Sequence, residues 1–267
     1  MGRALYQRRI LLTGASRGIG RALAERLAQE KAKLALVARS EEPLRELVQQ
    51  LQEKDVDAIA LPADVTLEED RARIIDRTVS QWGGLDVLIS NAGIGSWGHF
   101  ADSTEEIMRK IMEVNFFAPT ELTRLAIPHL TQGKSPAIVN VASMCGRVGT
   151  PAWAEYSASK HALCGMTEAL RGEMARFDID VLLIVPGLTN SELSKNLLRN
   201  EGRMDIRFDQ GMTTESVAEQ IVRAIQRNKT ETTLGWDAKW MIRAHRFFPW
   251  FVDRMMGRRV RKLYANQ

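Results

Sequence analysis

The chain has 267 residues, of which 45% are hydrophobic and 26% are charged. A chain of this length can bury a core without disulfides or metal ions, and its composition is not that of a disordered protein. Two cysteines are too few for a secreted disulfide framework, and four scattered histidines do not indicate a metal site. We therefore expect a folded, metal-free protein of the reducing cytoplasm.

The positive charge is concentrated near the end of the chain. Residues 236–267 contain eight Lys or Arg and only two Asp, so the remainder is slightly acidic although the net charge is +4. A nucleic-acid-binding protein would spread basic residues over a recognisable module, and we find none, so no nucleic-acid partner is expected. No apolar run approaches the roughly 20 residues that cross a bilayer.

Short apolar runs alternate with longer amphipathic runs along the chain. The short runs predict buried strands at 9–13, 34–38, 58–62, 86–90, 137–141 and 180–185, with a weaker one at 231–234. The longer runs predict helices at 18–30, 41–53, 67–81, 103–131, 152–177 and 214–228. This order is typical of an α/β fold of the Rossmann type, a doubly wound parallel sheet of about seven strands with helices on both faces.

Nothing in the sequence divides residues 1–235, which we interpret as one domain holding both a cofactor site and catalytic residues. Residues 187–213 form a long connection of weak periodicity, of the kind that often acts as a mobile binding loop. Residues 236–267 are predicted to be a helical appendage that is basic and rich in aromatic residues.

The stretch TGASRGIG, residues 13–20, follows the first strand and opens the first helix. Glycines at these positions permit a tight turn and let a pyrophosphate approach the helix N-terminus, where free N–H groups favour anions. In this position the motif predicts a dinucleotide site. The expected contacts are Gly14, Ser16, Arg17, Gly18, Ile19 and Gly20.

The end of the second strand, Ala38-Arg39-Ser40, has no carboxylate that could bind a ribose 2′-hydroxyl. Arg39, with Arg17 nearby, is suited to a 2′-phosphate. We therefore expect Arg39 and Ser40 to contact NADP (NADPH), with NAD as the alternative. Both arginines could also be simply solvated.

The stretch YSASK places Tyr156 four residues before Lys160, so the two side chains share a helix face. This spacing alone could arise by chance. Together with TGxxxGxG, the NAG at 91–93 and a serine after the fifth strand, it resembles the short-chain dehydrogenase/reductase family over residues 8–235. The spacing and length are similar to those of the shorter, single-domain subdivision.

The resemblance implies a set of functional residues. The implied catalytic residues are Asn115, Ser143, Tyr156 and Lys160. The implied cofactor contacts beyond the glycine turn are Asp64, Val65, Asn91, Ala92, Gly93, Tyr156, Lys160, Pro186, Gly187 and Thr189. The loop hydroxyl that is usually threonine in this family is Ser191 here.

The chemistry of a carbonyl that accepts hydride requires a proton donor for the oxygen. Tyr156 would be this acid, and the ammonium of Lys160 is expected to lower its pKa. Ser143 would donate a hydrogen bond to the substrate oxygen. The resemblance further implies that Lys160 bonds the nicotinamide ribose and that Asn115 orders a water in the proton relay. We therefore expect an oxidoreductase that transfers a hydride between NADP(H) and a ketone or secondary alcohol. A catalytically idle NADP-binding sensor or scaffold on the same fold is the alternative function.

The resemblance implies that the segment between Ser143 and Tyr156 contributes to the substrate wall. This segment is largely apolar, which favours a hydrophobic lipid-, steroid- or acyl-like substrate. The expected substrate contacts are Ser143, Met144, Cys145, Trp153 and Tyr156, and Val148, Pro151 and Trp97 are expected to add to the wall. A structural role for Cys145 is the alternative.

Pro249 is expected to begin a helix in the appendage. In that helix Val252, Met255, Met256, Val260 and Leu263 form an apolar stripe opposite basic residues. The helix could pack on its own domain, cap the pocket, form an oligomer contact or lie on a membrane surface. The family resemblance implies a homodimer or homotetramer assembled through the helices at 103–131 and 152–177.

Overall fold

The structure, a computed structural model, describes residues 2–193, 196–202 and 207–265. Seven strands form one parallel sheet in the order β3-β2-β1-β4-β5-β6-β9, which confirms the predicted Rossmann-type fold. These strands are β1 (Arg9–Thr13), β2 (Lys33–Ala38), β3 (Ala58–Pro62), β4 (Val87–Ser90), β5 (Ala137–Val141), β6 (Asp180–Pro186) and β9 (Glu231–Leu234).

Helices cover both faces of this sheet. Their bounds are α1 (Gly18–Gln29), α2 (Glu41–Gln52), α3 (Glu68–Trp82), α4 (Glu105–Met112), α5 (Ala118–Leu130), α6 (Ala154–Met174) and α7 (Thr214–Gln226). Helices α1, α2 and α7 pack on one face, and α3, α5 and α6 pack on the other. The strands are apolar because both of their faces are buried.

Side chains along β1 alternate between the two faces of the sheet, so a single strand contributes to the core on both sides. Ile10 and Leu12 pack into the layer of α1 and α7, whereas Leu11 packs into the layer of α3 and α5. All three side chains are fully buried. The core therefore lies on both sides of the sheet, and it holds the loops at the carboxyl ends of the strands in place.

The helix predicted at 103–131 is not regular throughout. It begins at Glu105 and contains a π-helical turn, Glu113–Phe117, between α4 and α5. Pro119 has no N–H with which to donate to the carbonyl of Asn115, so the α-helical hydrogen-bond pattern is interrupted at this point. The helix predicted at 152–177 likewise ends earlier, at Met174, where a 3₁₀ turn follows.

The predicted loop at 187–213 contains two short strands that the sequence analysis did not predict. They are β7 (Thr189–Asn190) and β8 (Met212–Thr213), which pair in parallel. Strands of two residues carry no periodicity, so they cannot be predicted from the sequence. Positions 194–195 and 203–206 of the expected binding loop lie outside the described residues.

Two further helices follow β9, namely α8 (Trp236–Phe247) and α9 (Pro249–Tyr264). Ala238 of α8 and Val252 of α9 are buried, which anchors both helices to the rest of the protein. In the predicted apolar stripe Met256 and Val260 are half-buried, whereas Met255 and Leu263 are exposed. No helix in the described ranges has the length and apolar content that crossing a bilayer requires.

Candidate active site

The candidate site lies where the order of the sheet reverses. Strands β1 and β4 are neighbours, and the chain continues from β1 toward β2 but from β4 toward β5. Loops that leave neighbouring strands in opposite directions open a crevice at their carboxyl ends, where ligands bind in folds of this type. A cavity of about 550 Å³ occupies this position.

The cavity brings together almost all of the predicted site residues. Its lining includes every predicted cofactor and substrate contact, namely Gly14, Ser16, Arg17, Gly18, Ile19, Gly20, Arg39, Ser40, Asp64, Val65, Asn91, Ala92, Gly93, Ser143, Met144, Cys145, Trp153, Tyr156, Lys160, Pro186, Gly187 and Thr189. Of the four predicted catalytic residues, Asn115 is absent from this lining.

The glycine turn has the geometry that a bound pyrophosphate requires. Gly14 and Gly18 have φ angles of 70° and 54°, which residues other than glycine rarely adopt. A Cβ at Gly20 would overlap the carbonyl oxygen of Gly14. No side chain caps α1 at Arg17, so the first N–H groups of the helix can bind an anion. The turn therefore fits the phosphates of a dinucleotide.

Replacing Gly20 by Ala is expected to weaken dinucleotide binding by at least tenfold, because the turn must open to admit the new methyl group. The measurement is titration calorimetry with NADPH and NADH. Gly172→Ala in α6 is the matched control, since a Cβ there meets nothing within 4 Å. Unchanged affinity in Gly20→Ala would contradict the placement of the phosphates at this turn.

Thr13 joins the two loops of the crevice, a role that the sequence analysis missed. Its hydroxyl accepts hydrogen bonds from the backbone N–H groups of Asn91 and Ala92, both at 3.1 Å. The side chain of Asn91 donates in turn to the carbonyls of Thr13 (3.1 Å) and Gly14 (3.3 Å). The motif TG at the end of a strand, followed by NAG after another, is the signal that could have revealed this pairing.

Two cations lie near the expected 2′-phosphate position. Arg39 and Ser40 follow β2 directly, and the side chains of Arg17 and Arg39 are exposed. Within the described residues, neither guanidinium group forms an ion pair or hydrogen bond with a protein group. Both are therefore available to an anionic ligand.

Tyr156 and Lys160 lie in the first two turns of α6 and are nearly inaccessible to solvent. The ammonium nitrogen of Lys160 lies 5.8 Å from the centre of the Tyr156 ring and donates to the carbonyl oxygen of Val141 at 3.1 Å. The two side chains thus share one face of the helix, as the YxxxK spacing indicated.

The pKa of Tyr156 differs from the sequence-based expectation. Burial raises the pKa of this phenol, an increase to which Cys145 contributes and which the Ser143 hydroxyl opposes. Burial also lowers the pKa of Lys160 to about 8. The net shift of the Tyr156 pKa is thus opposite to the expected lowering, because burial removes the phenolate from water.

Ser143 follows β5, and its hydroxyl oxygen accepts a hydrogen bond from the backbone N–H of Cys145 at 3.2 Å. The hydroxyl proton can therefore point into the cavity. The Cys145 sulfur lies 3.5 Å from the hydroxyl of Thr150, and burial raises the pKa of the thiol. A protonated thiol is a poor nucleophile, so Cys145 contributes to the wall of the cavity.

Asn115 is buried behind the cavity. Its side chain accepts from the backbone N–H of Ile94 and donates to the carbonyl of Ile94, both at 2.9 Å. It also donates to the hydroxyl of Ser159 at 3.0 Å. Asn115 thus connects α6 to the segment after β4, and Ser159 is a second residue that the sequence analysis missed.

Comparison with known proteins identifies the family. The family model described as short chain dehydrogenase matches residues 8–202. The Bacillus subtilis protein named uncharacterized oxidoreductase YxnA is 36% identical over 251 residues, which cover 92% of this chain and 70% of the relative. The chain belongs to the short-chain dehydrogenase family.

Solved structures agree with this assignment. A Burkholderia cenocepacia short-chain dehydrogenase in complex with NADP is 30% identical with a TM-score of 0.78, and the match covers 89% of this chain and all of the other. A Burkholderia phymatum member in complex with NAD has a TM-score of 0.84 at 23% identity, covering 91% of this chain and 94% of the other. The second match supports the fold alone.

In this short-chain dehydrogenase the C-terminal helices contribute to the cavity. Asp237, Met241 and Arg259 line it, although no motif in the sequence indicated them. The carboxylate of Asp237 accepts a hydrogen bond from the backbone N–H of Leu188 at 3.2 Å. The start of α8 therefore supports the loop that follows β6.

The expected wall residues Trp97, Val148 and Pro151 do not line this dehydrogenase's cavity. The Trp97 ring stacks on the Trp153 ring with centroids 6.4 Å apart, while Trp153 contacts Tyr156 at 5.4 Å. Trp97 therefore supports Trp153 from behind. An aromatic residue in an apolar segment can line the cavity or pack behind a residue that lines it, and the sequence does not distinguish these two positions.

Proposed function

We propose that the protein is an NADP(H)-dependent oxidoreductase that interconverts a hydrophobic ketone and a secondary alcohol. The observation that carries this proposal is that Ser143, Tyr156 and Lys160 line the same cavity as the glycine turn. A dinucleotide held by the turn and a carbonyl near Tyr156 would therefore share one enclosed space.

A bound nicotinamide cofactor would supply or accept the hydride. Ser143 would donate a hydrogen bond from its hydroxyl to the substrate oxygen and hold that oxygen beside Tyr156. Tyr156 would transfer its phenolic proton to that oxygen as negative charge develops. Because burial raises its pKa, the phenol holds at neutral pH the proton that it would transfer.

Lys160 would keep a positive charge beside the phenol, so that the phenolate formed after proton transfer has a counter-ion. Asn115 would be a positioning residue, since its side chain forms hydrogen bonds with the Ile94 backbone and with Ser159. We also propose that Asn115 orders a water molecule through which the proton is relayed.

NADP(H) is the proposed cofactor because Arg39 and Arg17 offer two cations where NAD-binding members place a carboxylate. Solved relatives of this fold occur with NADP and with NAD, so the preference depends on these residues of the chain.

Changing Arg39 to Asp is expected to shift the ratio of kcat/KM for NADPH over NADH toward NADH by about tenfold or more, because the carboxylate repels the 2′-phosphate and can bind the ribose hydroxyl. Steady-state kinetics with both cofactors measure this ratio. Arg109→Asp, an exposed site on α4, is the control. An unchanged ratio in Arg39→Asp would mean that the phosphate is recognised elsewhere.

A hydrophobic substrate is proposed because apolar side chains surround the space near Tyr156. The wall includes Met144, Trp153, Leu188, Leu193, Phe208 and Met241. The rings of Trp153 and Phe208 lie 6.4 Å apart in an edge-to-face arrangement. Aromatic and thioether groups of this kind bind aliphatic chains and fused rings without requiring polar partners.

The test is a panel of ketones of increasing apolar surface, with NADPH oxidation followed by absorbance. We expect kcat/KM to rise with apolar surface. Binding of NADPH without oxidation by any hydrophobic or polar ketone would favour the alternative, an idle cofactor sensor or scaffold.

We also propose a homodimer or homotetramer that assembles through α4, α5 and α6. Phe117 of the π-helical turn and Leu125 of α5 are exposed, and a second copy of the chain could bury them. Cys145 and Cys164 are free thiols, which supports a reducing, cytoplasmic setting.

A further inference from the structure

The exposed apolar surface of the described residues is concentrated in the C-terminal helices. Residues 236–264, here called the aromatic hairpin, consist of α8, α9 and the connecting Phe248. They carry eight of the fourteen large hydrophobic side chains that are exposed: Trp236, Trp240, Phe247, Phe248, Trp250, Phe251, Met255 and Leu263. A surface patch of this kind marks an interaction site.

The apex of the hairpin is its most apolar part. The sequence FFPWF, residues 247–251, connects the two helices, and all four of its aromatic side chains are at least half exposed. Trp250 is 67% exposed, and its ring contacts that of Phe251 with centroids 6.0 Å apart. The apex thus presents aromatic rings to the solvent.

Both helices place apolar and cationic side chains on one outer face. On α8 the spacing of three and four residues aligns Trp236, Trp240, Arg243 and Phe247. The same spacing on α9 aligns Phe251, Met255, Arg258 and Lys262. Ala238 is buried on the opposite face of α8, and Val252 is buried on a flank of α9, so each helix is anchored on one side and exposed on another.

Cations flank the aromatic apex on both sides. Arg243 and Arg246 precede it, and Arg254 and Arg258 follow it. Residues 236–267 contain only two acidic residues, and one of them, Asp253, lies 3.8 Å from the ring nitrogen of His245. Aromatic side chains bordered by arginines are complementary to an anionic lipid surface, where rings enter the interface and cations meet phosphates.

We propose that the aromatic hairpin binds the surface of an anionic lipid bilayer, with the FFPWF apex inserted at the level of the headgroups. The same helices reach the catalytic cavity, because Asp237 and Met241 of α8 and Arg259 of α9 line it. Binding would therefore bring the cavity close to the bilayer. The next step rests on the proposed function: binding of the hairpin to a bilayer identifies the substrate as a carbonyl compound that is dissolved in the lipid.

The test is co-sedimentation of the full chain with vesicles of phosphatidylcholine alone and of phosphatidylcholine mixed with phosphatidylglycerol, in the absence of substrate. Three variants are compared with the parent protein. Trp250→Ser with Phe251→Ser alters the apex, and Arg243→Gln with Arg254→Gln alters the flanking charge. Phe100→Ser is the control, because this ring is 63% exposed but lies outside the hairpin.

We expect the parent and Phe100→Ser to bind the anionic vesicles and to bind the neutral ones much less. Each arginine removed should weaken binding about fivefold, and the apex variant should bind at least tenfold less. Equal binding by all four proteins, or no binding by the parent, would overturn the proposal.

Light scattering of the same proteins without vesicles separates a lipid surface from a second copy of the chain. An unchanged mass in the apex variant supports lipid binding, whereas a loss of oligomer with no vesicle binding would mean that the hairpin is a subunit contact. Because binding is measured without turnover, it is independent of the proposed reaction. With a long-chain ketone in the vesicles, the apex variant should lose activity but keep it toward a water-soluble ketone.

Discussion

Replacing Tyr156 by Phe is expected to lower kcat for ketone reduction by a factor of about 10² to 10⁴, the contribution that a positioned general acid makes. The variant lacks only the phenolic oxygen, so the ring keeps its contact with Trp153. NADPH affinity should change little, because the turn that begins at Gly14 is unaltered. The measurements are steady-state kinetics and cofactor titration on the same preparation.

Tyr6→Phe is the matched control, because this tyrosine is 69% exposed and does not line the cavity. It should retain parental activity. Equal NADPH consumption by Tyr156→Phe and the parent would contradict the proposed role of Tyr156. Loss of cofactor binding together with activity would indicate that the hydroxyl is needed for the site to form.

Replacing Lys160 by Met is expected to stabilise the fold while it reduces turnover. Lowering the pKa of this buried amine from 10.5 to about 8 corresponds to a cost of about 3 kcal/mol at neutral pH. The variant removes this cost, but it also loses the hydrogen bond to the carbonyl of Val141, which offsets about 1 kcal/mol of the gain. The free energy of unfolding should therefore increase by about 2 kcal/mol, measured by urea denaturation.

The pH dependence of the free energy of unfolding tests whether the buried charge of Lys160 causes this difference. Between the folded pKa of about 8 and the unfolded value of 10.5, the unfolded amine binds a proton that the folded amine has lost. Stability of the parent therefore rises with pH across this interval relative to the variant. The advantage of Lys160→Met should shrink between about pH 8 and about pH 10.5.

Lys110→Met, at an exposed position on α4, is the control and should show no such dependence. A constant difference between Lys160→Met and the parent at all pH values would mean that packing, and not the buried charge, determines the stability change.

Several parts of the fold could be predicted because they depend on local sequence. The six apolar runs have the length and composition of buried parallel strands, and the structure has strands at those positions. The glycine turn could be located because tight backbone geometry at Gly14 and Gly18 restricts the residue type. The family resemblance supplied Ser143 and Asn91 as site residues, and both follow parallel strands whose carboxyl ends lie at one edge of the sheet.

Other features could not be predicted because they depend on contacts distant in the sequence. The π-helical turn at Asn115 accompanies hydrogen bonds to Ile94 and Ser159, and only the arrangement of three segments creates them. The direction of the pKa shift at Tyr156 depends on how completely its neighbours exclude water. The position of Trp97 behind Trp153 depends on the packing of two separate loops.

By itself, then, the sequence determined the alternating strands and helices, the pyrophosphate turn and the helical spacing of Tyr156 and Lys160, because each is set by backbone geometry within a few residues. The tertiary structure decided what surrounds these groups. It buried Lys160 against the Val141 carbonyl and brought Arg259, almost one hundred residues after Lys160, to the same cavity. It also left the FFPWF apex exposed, since side-chain exposure depends on which surfaces the folded chain covers.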